Sequence, residues 1–113
     1  NIDINNSTVY YFTANTSSNV TFNLRGSSGQ SFDSAVSTGQ SISLAMALTH
    51  GSTRHTANIS IDGVTQSIYY IGNTKPGSAS ISQREINLFS YTVYKTGGSS
   101  YTVLSGNTLF GLG

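Results

Sequence analysis

The stretch that most constrains this chain is Glu85 to Phe110, EINLFSYTVYKTGGSSYTVLSGNTLF. Two runs rich in Tyr, Phe, Val and Thr flank Gly97 and Gly98, the pattern of a β-hairpin. Side chains alternate at period two along a strand, so Phe89, Tyr91 and Val93 share one face. The register depends on the turn. A two-residue turn at Gly97-Gly98 sets Val93 against Thr102 and puts the two apolar sets on opposite faces. A three-residue loop, Gly97-Gly98-Ser99, pairs Val93 with Val103 and Ile86 with Phe110. Because a one-residue slip turns a whole strand over, only the second register gives one coherent apolar face. The expectation is therefore the three-residue loop with a glycine in the left-handed position.

The remaining segments supply more strands. Asn1–Ser7 is a polar lead-in or arm with Ile2 and Ile4 alternating, and residues 8–113 form one domain. Thr8–Thr13 is bulky on both faces, while Asn19–Arg25 alternates cleanly with Val20, Phe22 and Leu24 inward. Ser31–Ser37 holds the only helical spacing, Phe32, Ala35 and Val36, and is long enough for one short helical turn near 31–37. In Gln40–Leu48, Ile42, Leu44, Met46 and Leu48 line one face. The other face, Ser43, Ala45 and Ala47, is small rather than charged. It suits close approach either by the rest of the domain or by a neighbouring subunit, which makes these three residues a candidate interface. Asp62-Gly63 is a type I′ turn signal that pairs Ile61 with Val64, Ile59 with Gln66 and Ala57 with Ile68. About seven or eight short strands with turns between them predict an all-β fold, an antiparallel β-sandwich of jelly-roll type.

Composition removes several function classes. Only 8% of residues are charged, against about 25% in soluble domains, and the net charge is +1. Neither a nucleic-acid footprint nor attraction to an anionic membrane follows from that balance. No apolar run reaches the length of a membrane helix. Cysteine is absent, so neither a disulfide framework nor a thiolate metal site can form. The chain begins at Asn1 rather than Met, which fits a piece of a longer polypeptide.

Chemistry-bearing patterns are sparse. His50 and His55 flank Arg54 in the polar segment Thr49–Thr56, where two solvated loop histidines are the expectation. The four acids, Asp3, Asp33, Asp62 and Glu85, are scattered, and Asp62 is accounted for by its turn, so neither a metal set nor a carboxylate pair is indicated. There is no nucleophile elbow, and Gly26-Ser27-Ser28-Gly29 lacks the lysine of a phosphate loop. Catalytic, metal and cofactor residues are accordingly expected to be none. The seven tyrosines fit core and rim positions. The alternative is stacking on sugar rings, for which Tyr69, Tyr70 and Tyr94 are candidate glycan contacts. Five N-x-S/T triplets, at Asn5, Asn6, Asn15, Asn19 and Asn58, are what chance supplies in so Asn/Ser/Thr-rich a chain.

Four blocks carry a resemblance. Thr8–Gly26 (TVYYFTANTSSNVTFNLRG), Ser37–Met46 (STGQSISLAM), Ile61–Thr65 (IDGVT) and the closing INLFSYTVYKT with YTVLSGNTLF resemble a β-rich module of virion structural proteins of tailed phages, especially marine cyanophages. The resemblance covers most of the chain beyond Thr8 and lies in strand wording, not in a catalytic signature. It implies a non-enzymatic module on the virion exterior, in a capsid decoration protein or a tail fibre or other appendage. Its implied partners are other virion proteins, capsid or tail/fibre subunits, and further copies of itself as a homo-oligomer. A glycan-binding, receptor-recognition module at a fibre tip, reading a host surface glycan, is the alternative. Thr49–Thr56 and Tyr69–Gly72 depart from the family wording.

Overall fold

A computed structural model describes residues 1–112. The chain is mostly β, with strands β1 (Ile2–Asp3), β2 (Val9–Asn15), β3 (Val20–Arg25), β4 (Ser41–His50), β5 (Thr53–Arg54), β6 (Ala57–Ile61), β7 (Val64–Thr65), β8 (Ile68–Tyr70), β9 (Ala79–Ser80), β10 (Glu85–Gly97) and β11 (Ser100–Gly111). One helical turn, α1 (Phe32–Ala35), falls inside the 31–37 window, and a 3₁₀ turn spans Ile71–Asn73. A five-stranded sheet runs β2-β4-β10-β11-β8, a four-stranded sheet runs β1-β3-β6-β7, and β5 pairs with β9.

The closing hairpin sits at the centre, with β10 flanked by β4 and β11. Its strand register is the expected one, with Val93 facing Val103 and Ile86 facing Phe110. The connection, however, is the two-residue turn Gly98-Ser99, closed by a Gly97–Ser100 pair, and not the expected three-residue loop. The left-handed residue at its tip is Ser99 (φ 54), not a glycine, and a bulge lies between Lys95 and Gly97. Ser99 holds that conformation because its amide donates to Asp33 Oδ1 at 2.8 Å.

The antiparallel expectation holds only for the β4-β10-β11 centre and for the short pairs β6-β7 and β5-β9. The pairs β1-β3, β2-β4, β3-β6 and β8-β11 are parallel. The physical reason is that successive strands change sheets. The partners in β1-β3, β2-β4 and β3-β6 are then separated by a crossing through the other large sheet, which lets them run the same way. Between β8 and β11 the chain instead passes through β9 and through β10 of their own sheet. The extra elements beyond the expected seven or eight strands are short: β1, β5, β7 and β9 have two residues each.

The Asp62-Gly63 turn has positive φ at both residues, 49° and 83°, as a type I′ turn requires. Ile61 pairs with Val64, and the amide of Gln66 reaches the Ile59 carbonyl at 2.9 Å. The expected Ala57–Ile68 pair does not form. The chain leaves the four-stranded sheet after Thr65, and Ile68 pairs with Val103 of β11 in the other sheet. The N-terminal segment joins the fold: Ile2 is buried, β1 runs parallel to Leu24-Arg25, and Asp3 bonds Arg25.

Inward residues of both large sheets meet in one core. Phe22, Leu24, Ile59 and Ile61 from one sheet pack against Leu44, Met46, Phe89, Tyr91, Val93 and Val103 from the other. Phe12 and Phe22 stack across the gap at 5.6 Å between ring centroids, and Phe32 of α1 closes one end, fully buried.

Candidate functional site

The outer face of the five-stranded sheet is the surface the fold leaves open. Since Leu44, Met46 and Leu48 point into the core, Ser43, Ala45 and Ala47 must point the other way. They share that face with their cross-strand partners Thr92, Ser90 and Leu88 on β10, and with Gly106 beyond Ser90 on β11. The stripe therefore does not pack on the domain's own core. Every outward position of the sheet is uncharged. Bulky groups stand at the margins, with Val9 70% and Tyr11 60% exposed on β2 and Tyr69 69% exposed on β8.

Two grooves lie along this face. One, of about 240 Å³, is lined by Tyr11, Thr49, Arg84, Glu85, Ile86, Phe110, Gly111 and Leu112. The other, of about 360 Å³, is lined by Tyr69, Tyr70, Ile71, Ser90, Thr92, Leu104, Ser105 and Gly106. Two of the three candidate glycan residues thus share a groove. Tyr69 stands over it, while Tyr70 is half-buried and its phenol is pushed up by burial. Tyr94 is 43% exposed on the same face, paired with Ser41 and Thr102 outside the groove.

The polar chemistry is gathered instead at the two ends of the core. At one end Asp33, in the first turn of α1, accepts from the Ser99 amide, from the Tyr101 hydroxyl at 2.8 Å and from Lys95 at 3.0 Å. These bonds hold its carboxyl down at about 2. Lys95 is buried and also donates to the carbonyls of Asp33 (2.6 Å) and Val36 (2.9 Å). All three ammonium protons therefore have partners. Asp62 accepts the amides of Phe32 and Asp33 at 2.7 and 3.1 Å, so the turn residue also caps α1.

The other end corrects the expectation of two solvated histidines. β4 extends to His50, which is fully buried, and His55 is half-buried. Both Nδ1 atoms reach Thr16 Oγ1, at 2.6 and 2.9 Å. The hydroxyl has one proton, so it donates to one ring and accepts from the other. The His55 backbone amide also points at His50 Nδ1, at 3.5 Å, which makes that nitrogen the acceptor. His55 Nδ1–H then donates to Thr16, Thr16 donates to His50, and neutral His50 carries its proton on Nε2. That Nε2 is buried without a partner, as is Nδ2 of Asn87. Burial lowers the His50 pKa, and the nearby Glu85 carboxylate only partly opposes it. Arg54 grips Glu85 through both oxygens, at 2.5 and 3.1 Å, and lowers its pKa.

These clusters fasten the chain rather than present reactive groups. Each carboxylate is engaged: Asp3 by Arg25, Asp33 by Lys95, Glu85 by Arg54, and Asp62 by the α1 amides. Among the described residues no group of three His, Cys, Asp or Glu is placed to hold a metal, and no helix is long and apolar enough to cross a membrane. One signal in the sequence does point to His50: the alternation Ile42-Leu44-Met46-Leu48 continues onto it at period two. Lys95 likewise continues Phe89-Tyr91-Val93.

Comparison of the chain with protein-family models, with curated proteins and with solved structures found no match.

Proposed function

We propose that this chain is a non-enzymatic structural module of a tailed-phage virion, on the particle exterior as a capsid decoration or as part of a fibre or appendage. It docks on other virion proteins and on copies of itself. The observation that carries this reading is the outer face of the five-stranded sheet, where Ser43, Ala45 and Ala47 point away from the core on an uncharged surface. An uncharged, small-residue face loses little on desolvation and lets another surface approach closely. The two packed sheets fit a β-sandwich, which we read as jelly-roll-like with mixed rather than purely antiparallel pairing. The strand wording of Thr8–Gly26 and of the closing hairpin supplies the phage assignment.

The test is location. Antibodies raised to the chain should decorate the capsid or tail of particles whose genome encodes it, and a reconstruction should show the outer sheet face covered. Particles without this chain would overturn the reading.

A second reading, glycan recognition, is favoured by one observation: Tyr69 and Tyr70 share a groove with the hydroxyl residues Ser90 and Thr92. Tyr69→Ala should then reduce adsorption to host cells. Unchanged adsorption would remove it.

A further inference from the structure

The two large sheets have four edges, and three of them are blunted. In the four-stranded sheet the edge strands β1 and β7 have two residues each. Shortness alone limits pairing there. In the five-stranded sheet β2 is the edge on one side. Ser7 Oγ occupies the outward amide and carbonyl of Val9, at 3.1 and 2.9 Å, and a register shift breaks the strand between Phe12 and Asn15. Capping and irregularity both discourage strand addition.

The fourth edge has no such device. β8 covers β11 only at Val103–Ser105, and no described strand lies beside Gly106–Gly111 on that side. The direction of the backbone groups follows from their neighbours. Lys95 bonds through its amide and carbonyl to Gln40 and Gly39 on the β4 side. Alternate residues of β10 therefore turn toward β11, and Gly106, Thr108 and Phe110 turn back toward β10. The Leu112 amide continues this with a bond to the Arg84 carbonyl at 3.2 Å. Asn107, Leu109 and Gly111 are left with amides and carbonyls directed outward. The same segment exposes Leu109 at 42%, Phe110 at 54% and Leu112 at 63%, and it contains neither charge nor proline.

We propose that this edge pairs antiparallel with the same edge of a second copy, joining two five-stranded sheets into one continuous sheet. The proposal deepens the assembly reading and rests on it. A second copy suits the edge because an uncharged segment meets its own image without like-charge repulsion. The outward-directed residues also match under a two-fold axis through Leu109. Leu109 faces Leu109 of the other copy and Asn107 faces Gly111, so every outward amide meets a carbonyl. Side by side, the two Leu109 side chains cover each other on one face of the joined sheet. On the other face Phe110 lies beside Thr108 of the second copy.

Sedimentation of the whole chain across a concentration series tests this. A dimer is expected, and Leu109→Pro should make it monomeric. Proline removes only the outward amide and no bond to β10, so circular dichroism and the unfolding midpoint report whether the domain is intact. Register is checked with a single cysteine in a chain that has none. Oxidised Leu109→Cys should give a covalent dimer, because Cα atoms in such a pair lie about 5.5 Å apart. Val64→Cys, exposed on the other sheet, should not. A wild type that stays monomeric overturns the proposal. A dimer that survives Leu109→Pro but is dissociated by Ala45→Arg also overturns it, while leaving assembly through the sheet face intact.

Discussion

The two ends of the core bury polar groups in opposite ways. At the α1 end Lys95 gives each ammonium proton to an oxygen, and the Asp33 carboxylate accepts from three donors. At the β4 end the chain of bonds His55–Thr16–His50 stops at a buried Nε2 with no acceptor. A satisfied buried charge is costly to disturb, because removing one member leaves the others desolvated and unpaired. A neutral ring with one hydrogen left unpaired contributes less, and it makes the fold sensitive to any pH that would charge it. One end should therefore govern stability at neutral pH, and the other should govern how stability falls on the acid side.

The largest expected effects lie at the α1 end. Phe32 is fully buried, with its ring edge-on to Tyr101 at 5.4 Å. Phe32→Ala should lose about 4 kcal/mol in urea unfolding. Lys95→Ala strips donors from two carbonyls and from Asp33 and should lose about 3 kcal/mol. If Lys95→Ala unfolds at the wild-type urea midpoint, the distinction between the ends collapses.

His50→Leu removes an unpartnered donor but also the nitrogen that accepts from Thr16 and from the His55 amide, so at pH 7.5 it should cost about 1–2 kcal/mol, less than Lys95→Ala. Its distinguishing effect belongs at lower pH. Burial depresses the His50 pKa in the folded state, so the unfolded chain takes up the proton first, near pH 6.5. The stability contributed by neutral His50 is complete above that pH and is lost as pH falls toward the folded-state value. Urea midpoints measured from pH 7.5 to 5 should fall for the wild type and stay flatter for His50→Leu. Asp33 adds a separate loss at lower pH. Its ordinary value is 3.8 and its folded value about 2, so its contribution is complete above 3.8 and disappears as pH falls toward 2. His50→Leu should leave that second fall unchanged.

The contrast also explains what the sequence reveals. Period-two alternation is local, and it placed the central strands and selected Val93–Val103 because one register alone made a coherent apolar face. The stripe Ser43-Ala45-Ala47 was equally visible as a set, but alternation does not say what faces it. Which sheet a strand joins is a long-range choice. Ile68 satisfies an apolar face in either sheet, so its move to β11 left no mark in the pattern, and the parallel pairings were hidden for the same reason. Ending the strand at Leu48 leaves His50 in the loop, whereas Lys95 stands within its strand with no partner visible in the sequence. A polar group ends a strand only when it cannot find partners inside, and Lys95 finds three while His50 finds Thr16.

The smallest expected effect tests that last point at the hairpin tip. Glycine was the natural choice for the left-handed position, yet Ser99 occupies it at φ 54 with its amide bonded to Asp33. Ser99→Gly relieves the strain of an L-residue there but gives the unfolded chain more freedom, and the two terms oppose. The backbone amide is retained, so the bond to Asp33 survives and the net change should stay within about 0.5 kcal/mol. Ser99→Pro removes that amide, and its ring cannot adopt a positive φ. It should therefore destabilise clearly and weaken the hold on Asp33, moving the low-pH loss of stability upward from about 2. Urea midpoints of the two variants between pH 5 and 2 separate the terms. Equal behaviour of Ser99→Gly and Ser99→Pro would mean that the Ser99 amide does not hold Asp33, and that Lys95 and Tyr101 bind the α1 end without it.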